Sequence, residues 1–171
     1  MKKLPGEKGV LAACPSVLMG RVSWLFGPRG GDVPASVLAR ARSGQPLDFI
    51  DDKWSVPTGI TDLCVWLERL ITDQRAVSGL LHLCHTGVAT WRDYAQVTLD
   101  LAHQQGLLTQ PYVTTRRRLR EFPQFKAKRP PFTVMSNERL ALCLGESPGT
   151  WQAALERHLT MLARAEASAR A

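Results

Sequence analysis

Nowhere in the 171-residue chain is there the run of roughly 18 apolar residues that a membrane-spanning helix takes, so the sequence predicts no membrane span. A secretory leader does not fit either. Lys2 and Lys3 precede apolar residues, but Glu7 and Lys8 interrupt any apolar core, and the cytoplasm is the expected location. Cysteine is scarce: Cys14, Cys64, Cys84 and Cys143 are widely spaced, with no Cys-x-x-Cys pair. That argues against a disulfide scaffold and predicts reduced, mostly buried thiols. The cluster His82-Leu83-Cys84-His85 invites a metal reading. Zinc, however, draws its ligands from separated pairs, and alternate residues of a strand face opposite ways, so these read as core or strand-end residues and no metal is expected. No internal repeat is visible.

What is present is an ordinary globular composition, 44% hydrophobic and 22% charged, enough for one domain with a moderate core. The formal net charge is +7. Much of it lies in one stretch: Arg116, Arg117, Arg118, Arg120, Lys126, Lys128 and Arg129. Such a run is compatible with nucleic acid, with a solvated face or with a pocket for a nucleotide diphosphate. Aromatic interleaving is thin (Phe122, Phe125) and no nucleic-acid motif accompanies it, so nucleic acid is not the expected partner.

Hydrophobic patterning alternates strands with helices. Residues 4–14 read as the end of a helix stopped by Pro15. Val17 to Leu25 is apolar and β-rich, which predicts one short strand buried on both faces. A glycine-dense loop, Gly27-Pro28-Arg29-Gly30-Gly31-Asp32, leads to a helix over Pro34–Ser43. Further strands are expected at Leu47–Ile50 and Leu80–Cys84. Helices are expected from Thr61 to Thr72, from Thr90 to Gly106, over Ser136–Leu142, and from about Pro148 to Leu162. Residues 107–131 read as irregular and Ala163–Ala171 as a frayed tail. The fold class is α/β. Three short strands make a poor sheet alone, so the pattern reads as part of a larger one.

Specific residues then become recognisable. Arg21-Val22-Ser23-Trp24-Leu25-Phe26-Gly27 resembles the Arg-Thr-Ser-Trp-Val-Tyr/Phe-Gly strand of the dTDP-4-dehydrorhamnose reductases. Asp51-Asp52-Lys53-Trp54-Ser55-Val56-Pro57-Thr58 is similar to their Asp-Asp-Gln-x-Gly-x-Pro-Thr loop, and Thr61-Asp62-Leu63 follows where they begin a helix with Asp-Leu. Gly79-Leu80-Leu81-His82 matches a Gly-x-Tyr-His strand, and Thr90-Trp91-Arg92-Asp93-Tyr94-Ala95 a Ser-Trp-x-x-Phe-Ala helix. Ala127-Lys128-Arg129-Pro130, Ser136-Asn137-Glu138-Arg139-Leu140 and Trp151 with Ala154-Leu155 correspond to the family's closing segments. Lys53 stands for Gln, Ser55 for Gly, Leu81 for Tyr and Asn137 for Asp, departures that bear on substrate choice more than on fold.

The resemblance implies the C-terminal part of a Rossmann-like extended short-chain dehydrogenase: the last strands of its parallel sheet plus a small mixed, helix-rich substrate-binding domain. Residues 1–162 would be the sugar-nucleotide-binding portion, with the N-terminal NADP-binding part absent. The implied chemistry is NADPH-dependent reduction of dTDP-4-dehydro-L-rhamnose to dTDP-L-rhamnose. Family members use a Tyr-x-x-x-Lys pair, in which the lysine holds the nicotinamide ribose and the tyrosine donates a proton. Lys3-Leu4-Pro5-Gly6-Glu7 resembles the end of that motif, so Lys3 corresponds to the lysine; the tyrosine position would precede Met1. The 27–32 loop lacks the Gly-x-Gly-x-x-Gly spacing and Pro28 removes a donor, so this chain alone is not expected to bind NADPH.

For the substrate, Trp24 corresponds to a tryptophan lying against the sugar, with a core aromatic as the alternative. Arg21 reads as a pocket cation or a satisfied ion pair, and Arg129 as a bidentate diphosphate ligand or a surface arginine. Pro57 and Thr58 would border the pocket, while Trp66, Trp91 and Trp151 read as core. The expected partners are a dTDP-sugar nucleotide and either a separate chain carrying the cofactor domain or a second copy. A different reading stays open: a non-catalytic nucleotide-sugar-binding or regulatory protein resembling the regulatory subunit of methionine adenosyltransferase.

Overall fold

A computed structural model describes residues 3–72, 77–122 and 129–169. Helix α1 (Lys3–Ala13) carries Pro5 in its first turn and ends just ahead of Pro15. Strand β1 (Leu18–Arg21) pairs in parallel with β6 (Gly79–His82), Leu18 opposite Gly79 and Arg21 opposite His82. The single strand expected over 17–25 is in fact two. Trp24 adopts a left-handed backbone with φ of 42°, which breaks the extended run. Beyond it, β2 (Leu25–Phe26) pairs in parallel with β5 (Thr58–Gly59). Nor is β1 buried on both faces: its residues are half-buried or exposed, and among the described residues only β6 pairs with it.

Helix α2 (Val33–Arg42) begins with Pro34 in its first turn and is capped by the Asp32 carboxylate, which accepts from the Ala35 amide at 2.9 Å. Gly44, at φ 68°, lets the chain leave the helix. Strand β3 (Asp48–Ile50) pairs in parallel with β8 (Thr115–Arg117), inside the segment expected to be irregular. Ionic contacts rather than apolar patterning hold this pair. Asp48 accepts from Arg117 at 2.8 Å and from Arg40 at 2.5 Å. Burial works to raise the Asp48 carboxyl, but these hydrogen bonds outweigh it and hold the group below its usual range. Strand β4 (Trp54–Ser55) runs antiparallel to β7 (Ala89–Thr90).

Three helices enclose the larger core. In α4 (Trp91–Gln104) a capping box joins Thr90 and Asp93: the Asp93 amide donates to the Thr90 hydroxyl at 3.0 Å, and the Thr90 amide to the Asp93 carboxylate at 3.1 Å. Tyr94, Ala95, Leu99 and Ala102 recur at helical spacing and meet Val37 and Leu38 of α2 and Trp151, Leu155 and Leu159 of α6 (Trp151–Ser168). Helix α6 continues past Leu162, where the sequence suggests fraying. Alanines favour the helix there, and Arg42 holds Glu166 at 2.9 Å. A smaller core joins α3 (Ile60–Thr72), β6 and α5 (Glu138–Leu144) through Trp66, Leu70, Leu81, Leu83, Leu140 and Leu144. The thiols divide differently from expectation: Cys84 is buried and Cys143 half-buried, but Cys14 and Cys64 are exposed. No helix among the described residues is long and apolar enough to cross a membrane.

Candidate functional site

The left-handed turn at Trp24 is where β2 and β5 meet. The Thr58 amide donates to the Trp24 carbonyl at 3.2 Å, so a backbone bond pins the 51–58 loop to the turn. The Trp24 ring lies parallel to Tyr94, with centroids 6.3 Å apart and planes 7° apart, and meets Trp91 edge-on at 5.8 Å. A bulky residue at positive φ carries strain of about 1–3 kcal/mol, which packed neighbours must offset. The capping box at Thr90 fixes the helix start from which both neighbours project.

Lys53 is only 5% exposed, and its ammonium sits 6.0 Å from the Trp24 ring centroid. It donates to the Pro130 carbonyl at 3.1 Å and lies 3.5 Å from the Thr133 hydroxyl. Ser55, two residues on and so on the same face of the extended segment, donates to the Thr133 carbonyl at 3.2 Å and contacts the Ser23 hydroxyl at 2.5 Å. Backbone bonds complete the clamp: the Trp54 amide to the Pro131 carbonyl at 2.7 Å, and the Thr133 amide to the Trp54 carbonyl at 2.9 Å. Three segments, 21–26, 51–58 and 129–133, thus converge on one aromatic face. Burial lowers the Lys53 pKa, and the positive charge of Arg129 lowers it further, which places Arg129 within electrostatic reach.

Trp24, Thr58 and Arg129 therefore belong to one neighbourhood. Pro57 is buried at the entry to β5, and the buried Thr58 hydroxyl has no hydrogen-bond partner among the described residues. Arg129 is exposed. Arg21 is engaged elsewhere: its guanidinium grips Glu7 of α1, with Nε donating at 3.0 Å, and this bond raises its pKa. Lys3 lies in α1, and its side chain falls outside the description, as do Phe125, Lys126 and Lys128. Of the expected core tryptophans, Trp66 and Trp151 are buried, whereas Trp91 is half-buried at the edge of this site.

Other sequence features resolve into structure. The Gly27–Asp32 loop does not fit the pyrophosphate of NADPH, because the Asp32 carboxylate already takes the Gly27 amide at 2.9 Å and caps α2. An apolar cavity of about 400 Å³ opens beside that loop, lined by Pro28, Asp32, Leu38, His158, Met161 and others. It offers a carboxylate and no Lys or Arg, the wrong charge for a diphosphate. His82, Cys84 and His85 diverge toward the carbonyls of Ser136, Met135 and Pro148, and no metal-holding cluster exists among the described residues. Burial pushes the Cys84 thiol up to about 11. In the basic run, Arg117 is tied to Asp48, while Arg116 and Arg118 reach Asp51 only at 3.9 Å.

Sequence reasoning passed over Lys53 as a site residue, noting it only as a departure from Gln. The available signal was its register: Lys53 and Ser55 alternate with Trp54 along a segment otherwise bound for the interior. The Tyr94 hydroxyl was likewise unmarked; it is buried without a partner among the described residues, and burial raises its pKa, as does the charge of Asp32.

Comparison with known proteins bears on the family and the fold. Residues 1–164 match the model of the RmlD substrate binding domain. The chain is similar to dTDP-4-dehydrorhamnose reductase of Salmonella typhimurium, 34% identical over 108 residues that cover 61% of this chain and 36% of that protein. A solved dTDP-4-dehydrorhamnose reductase from Clostridium acetobutylicum superimposes with a TM-score of 0.79 at 27% identity, covering 94% of this chain and 54% of that one. The Bacillus anthracis reductase, solved in complex with NADP, shares the fold with a TM-score of 0.75 at 24% identity, covering 91% of this chain and 52% of that one. The chain thus spans between about a third and a half of the length of these relatives.

Proposed function

The chain belongs to the RmlD substrate binding domain family, and from that premise we propose that residues 1–162 form the sugar-nucleotide-binding portion of a cytoplasmic, NADPH-dependent reductase acting on dTDP-4-dehydro-L-rhamnose. The observation that carries the reading is the convergence of Trp24, Thr58 and the segment after Arg129 on one aromatic face, with cations beside it. A flat indole suits the apolar face of a deoxysugar, and a guanidinium suits a diphosphate.

Hydride transfer also needs a seated nicotinamide and a proton donor. The 171 residues contain neither a Tyr-x-x-x-Lys pair nor a Gly-x-x-Gly-x-x-Gly turn, so the assignment to this chain is substrate binding. The cofactor side would come from further residues or from a partner chain, and Lys3 is the residue here that would stand nearest to it in the family's motif. A nucleotide-sugar-binding regulatory protein would share that substrate binding.

Calorimetric titration with a dTDP-sugar tests the shared part. Trp24→Ala and Arg129→Ala should each weaken affinity about tenfold, the loss of one stacking or one charge-assisted contact. Unchanged affinity in both variants rejects this pocket. Reduction of a keto-sugar nucleotide by NADPH on the purified 171-residue chain, with no helper protein, would refute the assignment of substrate binding alone.

A further inference from the structure

We propose that the Lys53 ammonium is the anion-recognising group of this pocket, taking an anionic oxygen of the ligand that lies over the Trp24 ring: a diphosphate oxygen, or a carboxylate borne by the sugar. The inference rests on the substrate pocket proposed above for the identity of the ligand, but not for the role of Lys53.

Lysine is almost never fully buried unless it is paired. Here it is 5% exposed, and among the described residues its hydrogen-bond acceptors, a carbonyl and a hydroxyl, are both neutral. Neither acid next to it in sequence is among its hydrogen-bond acceptors: Asp51 faces Arg116 and Arg118 at 3.9 Å, and Asp52 accepts from the Leu119 amide at 2.7 Å. An ammonium carries three donors, so these two contacts leave one N–H for a ligand. The charge that acts on it most is of its own sign, from Arg129.

A buried cation with a like charge beside it is unfavourable on both counts. An arriving anion reverses both: it supplies the missing acceptor and neutralises the local field. A purely structural strut would not need the charge. The glutamine of the resembling reductases could donate the same two hydrogen bonds from a neutral amide, so what lysine adds at this position is a positive charge, placed at the face of the strained tryptophan.

The test uses the full 171-residue chain at low ionic strength, with inorganic pyrophosphate, dTDP, UDP-glucuronate and thymidine as probes. Lys53→Gln should weaken pyrophosphate and dTDP about tenfold and leave thymidine unchanged, while Lys53→Arg should retain most of the affinity. Wild-type affinity should fall more steeply with salt than that of Lys53→Gln. A loss confined to UDP-glucuronate also supports the proposal and puts the anion on the sugar. Equal affinities of wild type and Lys53→Gln for all three anions overturn it, as does failure of the wild type to bind any of them.

If Lys53→Gln does not fold, NMR of lysines labelled at Cε in the wild type decides. Pyrophosphate should raise the titration midpoint of the lysine whose value is depressed, and an unmoved midpoint overturns the proposal. Pyrophosphate binding that depends on Lys53, together with dTDP-sugar binding indifferent to both Trp24→Ala and Arg129→Ala, removes the sugar-nucleotide pocket proposed above and leaves the role of Lys53 standing. The converse result removes this one alone.

Discussion

Replacing Trp24 by glycine and, separately, by alanine measures the backbone strain at the centre of the site. Both variants lose the same indole, half-buried against Tyr94 and Trp91, at a cost of about 2 kcal/mol if roughly half of a full core Trp→Ala loss applies. That loss cancels in the comparison between them. What remains is the conformation, φ 42°. An L side chain held in the left-handed region costs about 1–2 kcal/mol. Against that, alanine restricts the unfolded chain and ordinarily gains about 0.4–1 kcal/mol over glycine. The glycine variant should therefore be the more stable by about 0.8 kcal/mol at the midpoints of these ranges, and by up to about 1.6 kcal/mol at their extremes, the reverse of the order at an ordinary position. Urea unfolding followed by circular dichroism reads this as a shift in midpoint at constant slope. An alanine variant more stable than the glycine variant would refute the strained turn and with it the reason β1 and β2 are separate strands.

Two further outcomes follow from buried polar groups. Tyr94→Phe should stabilise the fold. An unpartnered buried hydroxyl costs about 1–3 kcal/mol and the void left by one oxygen roughly 0.3 kcal/mol; at about 2–4 °C per kcal/mol, thermal unfolding should move up by a few degrees, and a fall would mean that the hydroxyl is bonded. Stability should also decline as pH drops below about 6.5. His85 and His158 are both held below their ordinary pKa, chiefly by burial, despite the Asp62 carboxylate 3.2 Å from His85 and the charge of Asp32 near His158. Arg157 shares the Asp62 oxygen at 2.8 Å and blunts its pull on His85. Both histidines are thus neutral in the folded state at a pH where the unfolded chain takes up protons, so the folded state loses ground until pH falls to the folded-state pKa values. His85→Asn keeps a donor for the Pro148 carbonyl and should flatten the dependence of midpoint on pH; an unchanged slope removes His85 from this account.

Much of the architecture was legible in the sequence because it is local. Thr90 followed by Asp93 spells a capping box, Pro34 and Gly44 bracket α2, and the spacing of Tyr94, Leu99 and Ala102 defines a buried stripe. What escaped depends on partners distant in sequence. Strand β8 bears arginines rather than an apolar pattern, and its partner β3, with Asp48 holding Arg117 across the pair, lies more than sixty residues away. The break at Trp24 could not be read from Val17–Leu25, since no glycine or asparagine marks the left-handed residue. Within the candidate site, Trp24 and Thr58, which the resemblance names, lie together. Arg21, left open between two roles, pairs with Glu7, and Lys53 gains its significance only from Pro130 and Thr133 folding over it.

The uneven exposure of the four thiols has a practical consequence. Cys14, just after α1, and Cys64, on the outer face of α3, are open to solvent, whereas Cys84 is shielded and its ionisation is suppressed to about 11. A maleimide reagent at neutral pH should therefore tag the first two and spare Cys84. One attachment point follows α1 and the other lies on α3, so paired spin labels there would report the distance between these two elements with and without a nucleotide.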